Sequence, residues 1–180
     1  MSFLHHTDRL ILRSWRDGDA ALFEEALNTP AVTRHLGGLQ TREQIEAIPP
    51  RMHACEAENG FCFWVLERQA DGLFLGFCGL KRMNAAGAPD VILGTPEIGW
   101  RLRESAWGQG FAKEAATAAL DLAFGRFGLD QVYAITVTEN APSWGLMRRL
   151  GMTARPERDF VMGDYGSHVT YRIGSDEWTG

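Results

Sequence analysis

The nine residues Trp107-Gly108-Gln109-Gly110-Phe111-Ala112-Lys113-Glu114-Ala115 carry the clearest chemical signal in the chain. Two glycines stand between an extended segment and an alanine-rich stretch with helical spacing. Glycine lets the backbone turn tightly and come close to a ligand. The first N–H groups of a helix have no partner within it, and they carry the positive end of its dipole. A pyrophosphate fits that end. The same residues also suit a plain glycine turn that starts a helix, and this segment alone does not separate the two. A dinucleotide-binding turn fails on detail. Lys113 takes the place of the third glycine in G-x-G-x-x-G. The motif also follows several strands of a meander instead of opening a strand–helix–strand unit.

A second segment, Thr138-Glu139-Asn140-Ala141-Pro142-Ser143-Trp144, lies one strand further on, followed by Leu146, Leu150, Gly151 and Met152. Asn140 suits a helix N-cap, with Pro142 in the first turn and Gly151 just past the end.

The elements that must position these segments can be read in order. Residues 7–15 read as a first strand, and Asp17 as the N-cap of a helix bearing Ala20, Ala21, Leu22, Phe23, Ala26 and Leu27. A second helical stretch begins near Thr41 and is interrupted by Pro49 and Pro50. Residues 61–67 and 73–80 flank the turn signal Asp71-Gly72 and predict a hairpin. A third central strand spans 91–103, and a helix runs from about Phe111 to Phe127. A strand follows at 131–137, then a helix from about Ala141 to Leu150, then two strands near 152–161 and 168–173. The order predicts an α+β fold with a mixed, mostly antiparallel central sheet flanked by helices. No linker, repeat or low-complexity segment divides residues 1–180, so one domain is expected.

In this order the chain resembles the GNAT acetyltransferases, specifically the RimJ/RimL-like branch, over nearly its whole length. Residues 7–13 resemble the opening strand and Glu97-Ile98-Gly99-Trp100 the central strand. Residues 107–115 resemble the coenzyme A loop, and Asn140, Ser143, Leu150 and Gly151 the downstream N-x-x-S…L-G pattern. Residues 168–172 with Glu177-Trp178 resemble the last strand. Two positions depart from the wider family: Ser105 where a Gln or Arg often stands, and Met147 where many members carry a tyrosine acid.

The resemblance implies a GNAT-like fold and an N-acetyltransferase using acetyl-coenzyme A (acetyl-CoA) as cosubstrate. It implies a primary amine as acceptor, either a protein N-terminus or a small molecule. The implied cofactor-binding residues are Trp100, Leu102, Trp107, Gly108, Gln109, Gly110, Phe111, Ala112, Lys113, Asn140 and Ser143. Acetyl transfer needs a neutral amine, so a base must take its proton. Glu97, on the strand expected to flank the thioester, is the first candidate, weighed against a solvated strand-edge carboxylate. His168 is the second, since imidazole titrates near neutrality. Ser143 is the candidate acid or hydrogen-bond donor to the leaving sulfur, by resemblance. A non-catalytic acyl-coenzyme A-binding sensor or scaffold is the alternative, because Met147 cannot donate a proton.

Composition narrows the partners. Hydrophobic residues make up 45% and charged residues 23%, an ordinary globular balance. The net charge of -5 gives no basic footprint for nucleic acid. No apolar run approaches the roughly 20 residues of a membrane span. The start of the chain lacks the charged opening and apolar core of a signal peptide. Cys55, Cys62 and Cys78 are odd in number and fit no zinc spacing, so no metal is expected, and reduced thiols suggest a cytoplasmic protein. The sequence leaves a homodimer open.

Overall fold

A computed structural model describes residues 2–180. The described residues form nine strands and six α-helices in the order β1 (Leu4–His6), β2 (Leu10–Arg13), α1 (Asp19–Leu27), α2 (Pro30–Thr33), α3 (Arg42–Glu46), α4 (Ile48–Asn59), β3 (Phe63–Arg68), β4 (Phe74–Arg82), β5 (Pro96–Leu102), α5 (Phe111–Asp121), β6 (Gln131–Val137), α6 (Ala141–Arg149), β7 (Thr153–Ala154), β8 (Phe160–Val161) and β9 (Ser167–Gly174). All strands join one sheet in the order β1-β2-β3-β4-β5-β6-β9-β7, with β8 also on β9. Every pairing is antiparallel except β5 with β6. The mixed, mostly antiparallel α+β architecture is the expected one.

Local chemistry explains the best-read elements. The β3–β4 hairpin turns at Gly72 (φ 70°), where Arg68 also pairs with Asp71 at 2.6 Å. Thr41 and Gln44 form a capping box that starts α3. In α5, Ala115, Ala116, Ala118 and Ala119 are buried. Their small side chains let the helix lie close on the sheet over β2, β4 and β5. On the opposite face α1 covers β4, where Phe23 stacks on Phe77 at 6.3 Å.

Several boundaries differ from the sequence reading. The first strand is really a hairpin, with Leu4 opposite Arg13, so the chain folds back before β2. Asp17 does not cap α1. Gly18, at φ 91°, holds that position, and Asp19 binds Arg13 at 2.8 Å and accepts from the Arg16 N–H at 2.7 Å. Pro49 and Pro50 do not end a helical region. They occupy the first turn of α4, where a missing N–H costs nothing. The central strand starts only at Pro96, because residues 91–94 form turns held by Gly94 N–H to Met83 O. The helix expected to reach Phe127 leaves α-geometry after Asp121 for a π-turn at Leu122–Arg126. The expected strand 152–161 is split into β7 and β8 by a 3-10 turn at Pro156–Arg158.

Candidate active site

The parallel pair β5–β6 meets at one register position, Glu97 opposite Tyr133. On their other sides the same strands pair along their length, β5 with β4 and β6 with β9. Beyond Glu97 the two strands therefore part, leaving backbone groups of β5 unpaired on the β6 side. The N-termini of α5 and α6 stand at the mouth of this gap. Together they enclose a cleft of about 620 Å³, within the usual range of a ligand site.

Most residues expected to bind the cofactor are walls of this cleft. Trp100 and Leu102 come from β5, and Trp107, Gly108 and Gly110 from the glycine turn. Phe111, Ala112 and Lys113 come from the first turn of α5, and Asn140 and Ser143 from the start of α6. Gln109 is not on the wall. Its Nε2 donates to Ser105 O at 2.6 Å and closes the loop from behind. The Trp107 indole donates to Leu102 O at 2.9 Å, which ties the turn to the end of β5. Gly108 (φ 70°) and Gly110 (φ 83°) adopt a left-handed backbone, and no atom lies within 4 Å of where a Gly108 Cβ would stand. The turn thus presents open backbone beside free helical N–H groups, the arrangement a phosphate needs.

Asn140 occupies the N-cap position of α6 but does not cap with its side chain. Its Nδ2 donates instead to Thr136 Oγ1 at 3.0 Å, anchoring the α6 N-terminus to β6. Ser143 lies one turn in; its N–H donates to Asn140 O, and the residue borders the cleft.

The catalytic candidates are not gathered at one point. Glu97 is 7% exposed and in the middle of the sheet, so it is no solvated edge carboxylate. Its Oε2 lies 3.2 Å from Lys81 Nζ, yet it has no hydrogen-bond donor in good geometry. Burial pushes this carboxyl above its usual range, against the pull of Lys81. His168 sits opposite Val137, four residues along β6 from Tyr133, roughly 13 Å of strand. It shares the sheet face of Glu97, and neither residue is part of the cleft wall. Its ring stacks on Phe160, and Nδ1 is 3.0 Å from Gly166 O.

Sequence reasoning missed the clip that holds the glycine turn. Glu114 accepts from Thr7 Oγ1 at 2.5 Å, from the Arg9 N–H at 2.8 Å and from Arg9 Nε at 2.7 Å. Arg9 also donates to Gln109 O at 3.0 Å and lies over the Phe111 ring at 4.4 Å. Burial opposes ionisation of Glu114, but these donors outweigh it and hold the carboxyl below its usual range. Arg34, His35 and Leu36, after α2, and Arg101 on β5 also line the cleft. Nothing local in the sequence marks the first three, which reach the cleft only through the tertiary fold. Among the described residues there is no group of three His, Cys, Asp or Glu able to hold a metal, and no helix is long and apolar enough to cross a membrane. The three cysteines are free thiols, with Cys62 and Cys78 buried.

A strand gap flanked by two helix N-termini, one of them glycine-led, suits a phosphate-bearing ligand with an extended arm. Residues 9–153 match the family model of the acetyltransferase (GNAT) domain, and the chain belongs to that family. It is similar to the uncharacterized protein YkkB of Bacillus subtilis (strain 168), at 31% identity over 81% of this chain and 83% of the relative. Its fold is similar to that of an acetyltransferase from Agrobacterium tumefaciens str. C58, with TM-score 0.80 and 23% identity over 95% and 94% of the two chains. It is also similar to that of RimL, a ribosomal L7/L12 alpha-N-protein acetyltransferase, with TM-score 0.74 and 16% identity over 97% and 95%.

Proposed function

We propose that this enzyme acetylates a primary amine by direct attack on the thioester of acetyl-CoA, within one domain spanning residues 1–180. The observation that carries this reading is the cleft between the parted strands β5 and β6, with the open turn Gly108–Gly110 at its mouth. In this reading the pyrophosphate lies on the turn and the first N–H groups of α5, beside Lys113. The pantetheine arm runs between β5 and β6, past Trp100 and Leu102, and uses the backbone groups that β6 leaves unpaired. The same backbone stabilises the oxyanion formed on attack. Glu97 takes the proton of the incoming ammonium, directly or through a water. Ser143 donates a hydrogen bond to the leaving sulfur. His168 keeps a packing role in β9.

The narrower place in the RimJ/RimL-like branch is supported by the motif order and by the likeness to RimL in fold. The acceptor is then a protein N-terminus or a small amine.

Calorimetry with acetyl-CoA and release of free thiol with an amine panel test this reading. Micromolar binding and amine-dependent thiol release are expected. Gly108→Val, which puts a side chain into the open turn, should weaken binding at least tenfold while the far-UV spectrum is kept. A protein that binds acetyl-CoA but releases no thiol with any amine would instead be a sensor.

A further inference from the structure

Arg101 is a largely buried cation without a counter-ion. It stands on β5 one position from Trp100, so alternation turns it to the face of Glu97, away from Trp100 and Leu102. Its guanidinium lies 5.5 Å from the ring centres of both Phe23 and Phe77, and it borders the cleft. Nη1 donates to the neutral Gln40 Oε1 at 3.1 Å, and Nε is buried with no partner. Among the described residues no carboxylate lies within ion-pair distance of it. Glu97, on the same face, is already engaged by Lys81, and the Phe63 ring covers Gly99 between the two. Glu104 borders the same cleft but is exposed beyond the end of β5. Arg34 and His35 border it as well.

Desolvating a cation without an anion is costly, and side chains that accept the cost are paired in most proteins. Here burial pushes the guanidinium down to about 10, opposed by Tyr165, so the group is still charged at neutral pH. Arg101 stands between Trp100 and Leu102, which line the same cleft and which the acetyl-transfer reading sets along the pantetheine arm.

We propose that Arg101 is the anion subsite of the acceptor: the amine this enzyme acetylates carries a carboxylate a few bonds from its nitrogen, and that carboxylate seats on the Arg101 guanidinium. This rests on the acetyl-transfer reading above. The planar fork of arginine matches a carboxylate, which displaces the neutral Gln40 oxygen. The carboxylate supplies the charge the protein leaves out, and it orients the amine within the cleft that holds the thioester in the acetyl-transfer reading.

The test uses matched acceptors: ω-amino acids from glycine to 6-aminohexanoate, each against the alkylamine in which a methyl replaces the carboxylate. Thiol release from acetyl-CoA gives kcat/KM for each, and calorimetry gives acetyl-CoA affinity separately. At one or more chain lengths the amino acid should exceed its alkylamine by tenfold or more, the worth of a charge-assisted hydrogen bond. In Arg101→Met that ratio should fall toward one, and in Arg101→Lys it should recover in part. Methionine keeps an apolar stem between Phe23 and Phe77, so the melting temperature of Arg101→Met should hold or rise; a fall of several degrees would mark a structural role and overturn the proposal. Equal rates within every pair, or acetyl-CoA binding with turnover of no amino acid, would also overturn it. Failure to bind acetyl-CoA at all would instead remove the acetyl-transfer reading.

Discussion

At the scale of single residues, Glu97 combines the properties a base needs with a cost that can be measured. Its Oε2 is buried without a good donor, and burial outweighs Lys81 in setting its proton affinity. Removing a general base typically costs about 10²–10⁴-fold in rate. Glu97→Gln should therefore slow turnover by at least a hundredfold near neutral pH, with partial rescue as the free amine accumulates at high pH. His168→Gln, on β9 with its ring stacked on Phe160, should slow it far less; the reverse order would move the role to His168. Linkage gives a second readout. The folded carboxyl holds its proton to higher pH than the unfolded one, whose value is about 4.3. The folded state is therefore favoured below that value and loses stability as pH rises through the folded value. Relative to wild type, Glu97→Gln should gain unfolding free energy as pH is raised from about 4 to 7, and a constant difference across that range would count against the shift.

At the scale of elements, the site depends on how α5 is tied to the lead-in of β2. Arg9 is 46% exposed in its side chain, so its pair with Glu114 adds below about 1 kcal/mol to global stability. Its two further contacts, with Gln109 O and the Phe111 ring, fall on the glycine turn itself. Arg9→Met should leave the melting temperature within a few degrees yet weaken acetyl-CoA binding about fivefold, the equivalent of ~1 kcal/mol. Calorimetry beside a thermal melt checks both halves. A large loss of stability with unchanged binding would make the clip a fold device rather than a site device.

At the scale of the whole molecule, one ion-pair network joins the sheet to the helix α1 that covers its Phe77 face. Arg13 on β2 bonds Asp19 at the start of α1 at 2.8 and 2.9 Å and Glu67 on β3 at 2.9 Å. Both Arg13 and Asp19 are almost fully buried. Breaking such a pair strands a charge, which typically costs 3–5 kcal/mol. Asp19→Asn should cost about 3 kcal/mol, near the lower end because Glu67 still faces Arg13. Chemical denaturation measures this, and a loss under about 1 kcal/mol would show that the network relaxes onto Glu67 alone.

The sequence alone specified whatever rests on near neighbours in the chain. Asp71-Gly72 forces a tight turn, so the β3–β4 hairpin was legible. Alternation and β-branched residues marked β6 to the residue. The two glycines before an alanine-rich stretch marked the start of α5, because backbone freedom and helix periodicity are local properties. Asn140 was legible as the residue before α6, though not its bond to Thr136. The tertiary structure decided what depends on distant partners. Pro49 and Pro50 read as a break, because only the packing of α3 and α4 shows that they begin a new helix. Residues 152–161 read as one strand, but β9 pairs with two short pieces on either side of a turn. Most of all, Glu97 and Arg101 are ordinary charged residues on a strand when read in sequence. Lys81, Phe23, Phe77, Gln40 and the loop after α2 come from far along the chain, and they fix the burial and charge balance that separate a buried carboxylate from a solvated one and a bare cation from a surface arginine. Desolvation is set by every neighbour at once, so it cannot be read from spacing along the chain.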